Sequence, residues 1–155
     1  MKRAIFPGSF DPFTIGHESI VLRALNIFDE IVIAIGYNST KKGFFPIDSR
    51  IKIIEEVFKE ENRISVEKYN KLTVDFCNEK DIKFILRGLR TASDFEYERA
   101  IAQMNHFMEN KIETVFLLTE AAHTPVSSTI LREILKHNGD VCKFVPKCID
   151  LKKYM

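Results

Sequence analysis

The residues with the clearest chemical potential lie in one short stretch, Pro7-Gly8-Ser9-Phe10-Asp11-Pro12-Phe13-Thr14-Ile15-Gly16-His17. An apolar run (Ala4, Ile5, Phe6) precedes it, and a helix-like pattern (Ile20, Val21, Ala24, Leu25, Phe28) follows. The stretch is therefore a strand-to-helix turn. Its glycines admit positive φ and its prolines lock φ near about –65°, so the backbone path is an unusual one. Ser9, Thr14 and His17 fall where a helix begins, with free backbone N–H groups and a partial positive charge, which together suit a phosphate. If Thr14 caps the helix, His17 occupies the place that Glu or Gln takes in a capping box. A helix N-terminus lowers an imidazole's pKa, so the ring is expected to be mostly neutral near neutral pH, with one N–H still free to donate. The plainer reading of the same residue is a structural histidine in a turn.

Three further groups could act on an anion. Arg87 and Arg90 sit three residues apart at the end of the apolar run Phe84-Ile85-Leu86. They repel one another unless an anion lies between them or Asp94 and Glu96 pair with them. Ser127-Ser128-Thr129-Ile130-Leu131-Arg132 opens a helix, where the hydroxyls suit capping. Arg132 in that first turn opposes the helix dipole unless a polyphosphate, or Glu133, offsets it. Lys41 and Lys42 stand in a loop with Thr40 and Gly43, where solvated lysines and phosphate-binding lysines look alike. Ser93-Asp94-Phe95-Glu96 has the spacing of a capping box for a long helix. On that helix Phe95, Ala100, Ile101, Met104 and Met108 suggest core or subunit contact, and the direction of Glu98 is left open. Neither a G-x-G-x-x-G fingerprint nor a G-x-x-x-x-G-K-[ST] loop occurs, so any nucleotide must be held by helix N-termini and side chains.

These groups need a frame, and the hydrophobic pattern supplies one. Strands are expected near Arg3–Phe6, Ile31–Ile35, Ile64–Glu67, Phe84–Leu86 and Thr114–Leu118. The helices between and after them span about Gly16–Phe28, a segment with Ile51, Ile54, Val57 and Phe58 on one face, Thr73–Lys80, Asp94–Glu109 and a start near Ser128. Strand–helix alternation implies an α/β, Rossmann-like five-stranded parallel sheet with helices on both faces. The continuous apolar runs at Ile31–Ile35 and Val115–Leu118 predict strands buried on both faces, and the alternation of Ile64–Glu67 predicts an edge. Strand order 3-2-1-4-5 fits. It brings the Ser9–His17 turn and the Arg87–Arg90 segment to one crevice at the switch point, beyond the carboxyl ends of the strands. Gly139 and Pro146 should mark the end of the helical region, before a small C-terminal helix near Ile149–Tyr154.

Size and composition narrow the class. The 155 residues fit a single domain spanning 1–155. With 23 basic and 22 acidic residues, the net charge of +1 gives no argument for a nucleic-acid surface. Cys77, Cys142 and Cys148 show no C-x-x-C spacing, and reduced thiols are expected. The histidines (His17, His106, His123, His137) do not cluster with them, so no metal site is expected. No signal peptide is visible, and no apolar stretch approaches the ~18 residues of a membrane span. A soluble, cytoplasmic protein without a membrane partner is the expectation.

The stretch GSFDPFTIGH, followed in order by RGLR (87–90), DFEYE (94–98) and SSTILR (127–132), resembles the bacterial phosphopantetheine adenylyltransferases. These belong to the nucleotidyltransferase superfamily with a T/HxGH motif. The resemblance runs from about residue 2 to residue 146. It implies transfer of an adenylyl group from ATP to 4′-phosphopantetheine, giving dephospho-coenzyme A and pyrophosphate, with Mg2+ carried mainly by the ATP phosphates. It implies catalytic roles for His17 and Lys41. It puts Ser9, Phe10, His17, Gly88, Leu89, Arg90, Glu98 and the run His123, Thr124, Pro125, Val126, Ser127, Ser128, Thr129 on the ATP side. Ser9, Lys41, Thr73 and Arg87 fall on the phosphopantetheine side. The family's hexamers imply a homohexamer. This chain has Ser9 where the family more often has Thr, which keeps the hydroxyl, and Ile15 in place of Asn. His123-Thr124-Pro125-Val126 replaces a segment that commonly carries an aromatic and Phe-Ile. Competing readings are another adenylyl- or cytidylyltransferase of the superfamily, and a non-catalytic nucleotide-binding module.

Overall fold

The computed structural model describes residues 1–38, 40 and 42–155. Five strands, β1 (Arg3–Gly8), β2 (Glu30–Gly36), β3 (Ile64–Tyr69), β4 (Phe84–Leu89) and β5 (Glu113–Leu118), form one sheet in the order β3-β2-β1-β4-β5. Every pairing is parallel. The helices are α1 (Ile15–Ala24), α2 (Ile47–Val57), α3 (Thr73–Glu79), α4 (Ala92–Met108) and α5 (Ser128–Lys136).

Successive residues of a strand face opposite sides, so each central strand feeds two cores. Ala4, Phe6, Ile31, Ile33 and Ile35 meet Ile20 and Val21 of α1, Ile53 and Val57 of α2, and Leu131 and Leu135 of α5 on one face. Ile5, Val32, Ala34 and Ile85 meet Val74, Phe76 and Cys77 of α3 on the other. This places the starts of α1 and α5 side by side above the end of β1.

Several expectations change. β1 runs on through Pro7 and Gly8, pairing them with Ala34 and Ile35. Helix α1 stops at Ala24, not Phe28, where the Asn26 side chain donates to the Arg23 carbonyl (3.1 Å) and the chain turns to bury Phe28. The apolar run of β5 is not buried on both faces: β5 pairs only with β4, and Leu118 is 70% exposed. Helix α4 is capped by Thr91, whose Oγ1 accepts from the Asp94 N–H (3.2 Å), in place of the Ser93–Glu96 box. Phe95, Ala100, Ile101, Met104 and Met108 are exposed, so they are not core; Glu98 is the buried residue of α4. The last turn of α5 closes with Asn138 at φ 59°, while Gly139 donates to the Ile134 carbonyl (2.9 Å). Asn takes that left-handed position in the role often filled by glycine.

The cysteines also depart from expectation. Cys142 and Cys148 are joined in a disulfide, so the reduced-thiol reading holds for Cys77 alone. Two 3-10 turns, Cys142–Phe144 and Pro146–Cys148, fold the segment back and bring the Cα atoms to 4.4 Å, inside disulfide range. Burial pushes the Cys77 thiol up to about 12, which leaves it unreactive at neutral pH.

Candidate active site

Beyond the carboxyl end of β1 the chain takes a path that only particular residues permit. Phe10 has φ 46°, and its ring turns back under Gly8, where a Cβ would lie 2.8 Å from the ring. Phe10 then packs against Phe6, Phe13 and the imidazole of His17. Three carbonyls of this turn are held by side chains from elsewhere. Arg50 of α2 donates to Ser9 O (2.8 Å), Arg132 of α5 to Asp11 O (2.8 Å) and Ser128 to Pro12 O (2.8 Å). Arg132 also donates to Thr129 Oγ1 (3.2 Å), whereas Glu133 pairs with Lys136. Its place in the first turn is thus explained by protein oxygens of the turn and of Thr129.

The capping box expected at Thr14 is present. The His17 N–H donates to Thr14 Oγ1 (3.4 Å) and the Thr14 N–H donates to His17 Nδ1 (3.0 Å). Because Nδ1 accepts, the neutral ring carries its proton on Nε2. The pKa is lowered to about 4, first by burial, then by the charges of Arg90 and Arg87. The ring is neutral as expected, but its burial and the two arginines replace the helix terminus as the cause.

Arg87 lies in β4, where it makes a two-pronged ion pair with Glu98 (Nε to Oε2, 2.7 Å) and donates to Pro7 O. Arg90 pairs with Asp94 (3.2 Å), and Glu96 with Arg99 (3.0 Å). Of the two carboxylates the sequence offered to these arginines, Asp94 takes Arg90, but Glu96 takes neither; Glu98, two residues on and about half a turn round α4, faces inward to Arg87. Within β4, a Cβ at Gly88 would come 3.3 Å from Ile20, so Gly88 lets α1 pack close to the strand.

These groups line one cavity of about 500 Å3. Ser9, Phe10 and His17 form one wall; Arg87, Gly88, Arg90 and Glu98 form the facing wall; Val126, Ser127, Ser128 and Thr129 close one end. Ser127 Oγ caps α5 by accepting from the Ile130 N–H (3.2 Å), which leaves the start of that helix directed at the cavity rim. A second cavity, of about 220 Å3, adjoins it across the Arg87–Glu98 pair and takes in Tyr69, Thr73, Ile101 and Asn105. Both cavities lie beyond the carboxyl ends of the central strands, as a switch point requires.

Not every expected residue meets there. Leu89 is buried and lines neither cavity; His123, Thr124 and Pro125 also stand outside both. His123 ends the 3-10 turn Ala121–His123, and its buried Nδ1 has no hydrogen-bond partner among the described residues. Lys41 lies outside the described residues. Asp11 and Arg50 were missed by sequence reasoning. Both are buried, at 8% and 7% exposure, Asp11 within the turn and Arg50 against its Ser9 carbonyl. Arg50 had a signal, because it shares the apolar i, i+3, i+4, i+7 stripe with Ile53, Ile54 and Val57.

The arrangement can hold an extended polyanion and offer one neutral N–H donor at its centre. The chain's relatives match that chemistry. Residues 5–134 match the cytidylyltransferase-like family model. A phosphopantetheine adenylyltransferase of Bacteroides fragilis is 52% identical over 97% of this chain and 100% of its own length. One from Flavobacterium johnsoniae is 51% identical over 99% of this chain and all of its own. One from Syntrophotalea carbinolica is 44% identical over 94% of this chain and 88% of its own. With identity of that order along nearly the whole chain, and the crevice placed where the fold puts its ligands, the protein belongs to the cytidylyltransferase-like nucleotidyltransferases and, within them, to the phosphopantetheine adenylyltransferase family.

Proposed function

We propose that the protein transfers the adenylyl group of ATP to 4′-phosphopantetheine, yielding dephospho-coenzyme A and pyrophosphate. The observation that carries this reading is the meeting of a neutral His17 with Arg87, Arg90 and the start of α5 around one cavity.

A phosphate monoester dianion is already a nucleophile, so the reaction needs alignment and charge neutralisation, with no side-chain nucleophile. The acceptor phosphate attacks the α-phosphorus of ATP and pyrophosphate leaves in line. The Nε2–H of His17 donates to the α-phosphate oxygens as negative charge builds on them. The lowered pKa keeps the ring neutral, and because Nδ1 accepts from the Thr14 N–H, its one proton stays on Nε2, facing the phosphate. Ser9 orients the attacking phosphate, Arg87 binds it, and Lys41 neutralises the reacting centre. Arg90 and the α5 start, Ser127–Thr129, hold the departing pyrophosphate, as helix N-termini favour anions. The pantetheine arm fits the second cavity beside Thr73.

Among the described residues no group of three or more His, Cys, Asp or Glu side chains is placed to hold a metal ion. Asp94 and Glu98, which border the cavity, are engaged by Arg90 and Arg87. That donor set fits Mg2+ arriving on the ATP oxygens and waters. A homohexamer is part of the same reading, supported by the exposed apolar side chains of α4. So is a cytoplasmic location; among the described residues no helix is long and apolar enough to cross a membrane.

The test is an acceptor panel. With ATP, 4′-phosphopantetheine should release pyrophosphate and give dephospho-coenzyme A by mass. Dephosphorylated pantetheine, nicotinamide mononucleotide and choline phosphate with CTP should give none. Turnover with one of the other acceptors, and none with 4′-phosphopantetheine, would replace this reading by another member of the superfamily.

A further inference from the structure

Two unfavourable features meet at one hydrogen bond behind the candidate site. The first is Phe10, a bulky residue held at φ 46°, where such side chains are rare. Backbone of this kind persists only when its surroundings over-determine it, and it gathers at sites that use it. The second is Arg50 of α2, a buried guanidinium that belongs to no ion pair among the described residues. Its Nε is buried and has no hydrogen-bond partner among them. The Asp11 carboxylate is engaged elsewhere, accepting from the backbone N–H groups of Phe44 (2.7 Å) and Phe45 (2.8 Å). A buried charge without a partner charge is costly. Arg50 Nη1 spends that charge on Ser9 O, at 2.8 Å.

The Ser9 carbonyl belongs to the peptide that joins Ser9 to Phe10. That peptide is trans and planar, so its C=O and N–H point in opposite directions. Arg50 lines neither cavity, whereas Ser9 and Phe10 both line the larger one. With the carbonyl drawn back to Arg50, the Phe10 N–H is turned to the cavity side, on the wall that carries His17. Among the described residues this N–H donates to no acceptor. Turning the peptide over would swing φ of Phe10 by about half a turn, into the negative range that ordinary residues prefer. It would also aim the Ser9 carbonyl at the cavity and take the N–H away. The strain at Phe10 therefore favours the wrong orientation for an anion, and the Arg50 bond opposes it.

We infer that Arg50 is a positioning residue: it latches the Ser9–Phe10 peptide so that the Phe10 N–H, and not the Ser9 carbonyl, faces the phosphates beside His17. This rests on the proposed adenylyl transfer. Arg50 itself touches no substrate; it acts through the main chain of the turn. The N–H so held is a preorganised donor for the charge that builds on the α-phosphate in the transition state. A carbonyl in its place would repel the same charge. Removing Arg50 therefore falls on kcat more than on ATP affinity.

The experiment compares the wild type with Arg50→Met and Arg50→Lys by kcat for pyrophosphate release, ATP affinity by calorimetry and the urea midpoint of unfolding. Arg50→Met should lower kcat at least about tenfold, with ATP affinity kept within about threefold. Its midpoint should be no lower than that of the wild type, because an unpaired buried charge is gone and the freed Ser9 carbonyl turns to cavity water. Arg50→Lys keeps a cationic donor for Ser9 O and should recover kcat to within about fivefold of the wild type. An unchanged kcat in Arg50→Met, a fall in midpoint that runs parallel to the fall in rate, or a lysine variant no faster than the methionine one would overturn the latch. If Arg50→Met does not fold, Arg50→Gln, neutral and too short to reach Ser9 O, takes its place with the same outcomes. A wild-type chain that releases no pyrophosphate would sink the proposed function and leave the latch to be read by crystallography. The structure of the same variant should show the Ser9–Phe10 peptide turned over and φ of Phe10 negative; a φ still positive would overturn it.

Discussion

The imidazole of His17 is held by its own turn: Nδ1 accepts from the Thr14 N–H, and so Nε2 keeps the proton that a phosphate oxygen can share. Replacing it with Ala should lower kcat by about 100-fold or more while ATP affinity changes little, because the bond is strongest when the transition state forms. Equal losses in rate and in ATP affinity would reduce His17 to a binding residue. The same group makes stability depend on pH. Its folded pKa, about 4, lies below the ordinary 6.5, so the unfolded chain takes up the proton first as pH falls. The stabilisation is whole above about 6.5 and is lost progressively toward pH 4. At pH 5 the loss is at most about 2 kcal/mol, since the ring edge reaches cavity solvent. Urea unfolding at pH 7 and pH 5 should show a larger fall for the wild type than for His17→Asn; parallel falls would refute the buried neutral ring. At this scale the sequence is readable where a motif dictates geometry, as with Thr14 and His17. It is unreadable where a charge meets a partner far along the chain, as with Arg50 and Ser9 or Arg132 and Asp11.

The strands and helices explain why distant residues share one hollow. β1 and β4 are neighbours, so the Pro7 carbonyl lies within reach of Arg87, and α4 returns Glu98 to the same guanidinium. Arg87 stands at the partition between the larger cavity and the smaller one. Arg87→Ala should therefore raise KM for 4′-phosphopantetheine about 100-fold and change KM for ATP no more than about threefold. Because the change also strands Glu98 without its cation, Arg87→Ala/Glu98→Gln must be measured beside it. Recovery of the phosphopantetheine KM in the double variant would remove Arg87 from that pocket. Strand order could be read from apolar continuity at β2 and alternation at β3. The exposure of β5 could not, since an apolar run looks the same whether a core or another surface covers it. Cap positions slipped for a related reason: Thr91 and Ser93 both suit an N-cap, and the extended backbone at Thr91 shows which of them the chain uses.

For the molecule as a whole, the site lies beyond the carboxyl ends of the central strands, while α4 and β5 leave apolar side chains uncovered. Phe107 is 88% and Met104 59% exposed, a poor arrangement for a monomer in water. If the proposed hexamer uses this face, Met104→Lys combined with Phe107→Glu should lower the mass in light scattering toward that of a monomer, and an unchanged mass would place the subunit contact elsewhere. That surface was only half visible beforehand, because helical spacing marks an apolar face without naming what meets it. The deepest commitment concerns the chemistry: a single direct displacement with both substrates in one crevice and no covalent intermediate. The stereochemical course at the α-phosphorus tests it, with ATP made chiral there by sulfur substitution and the product analysed by phosphorus NMR. Inversion of configuration is the expected result, and retention would contradict it by requiring an adenylylated side chain on the way.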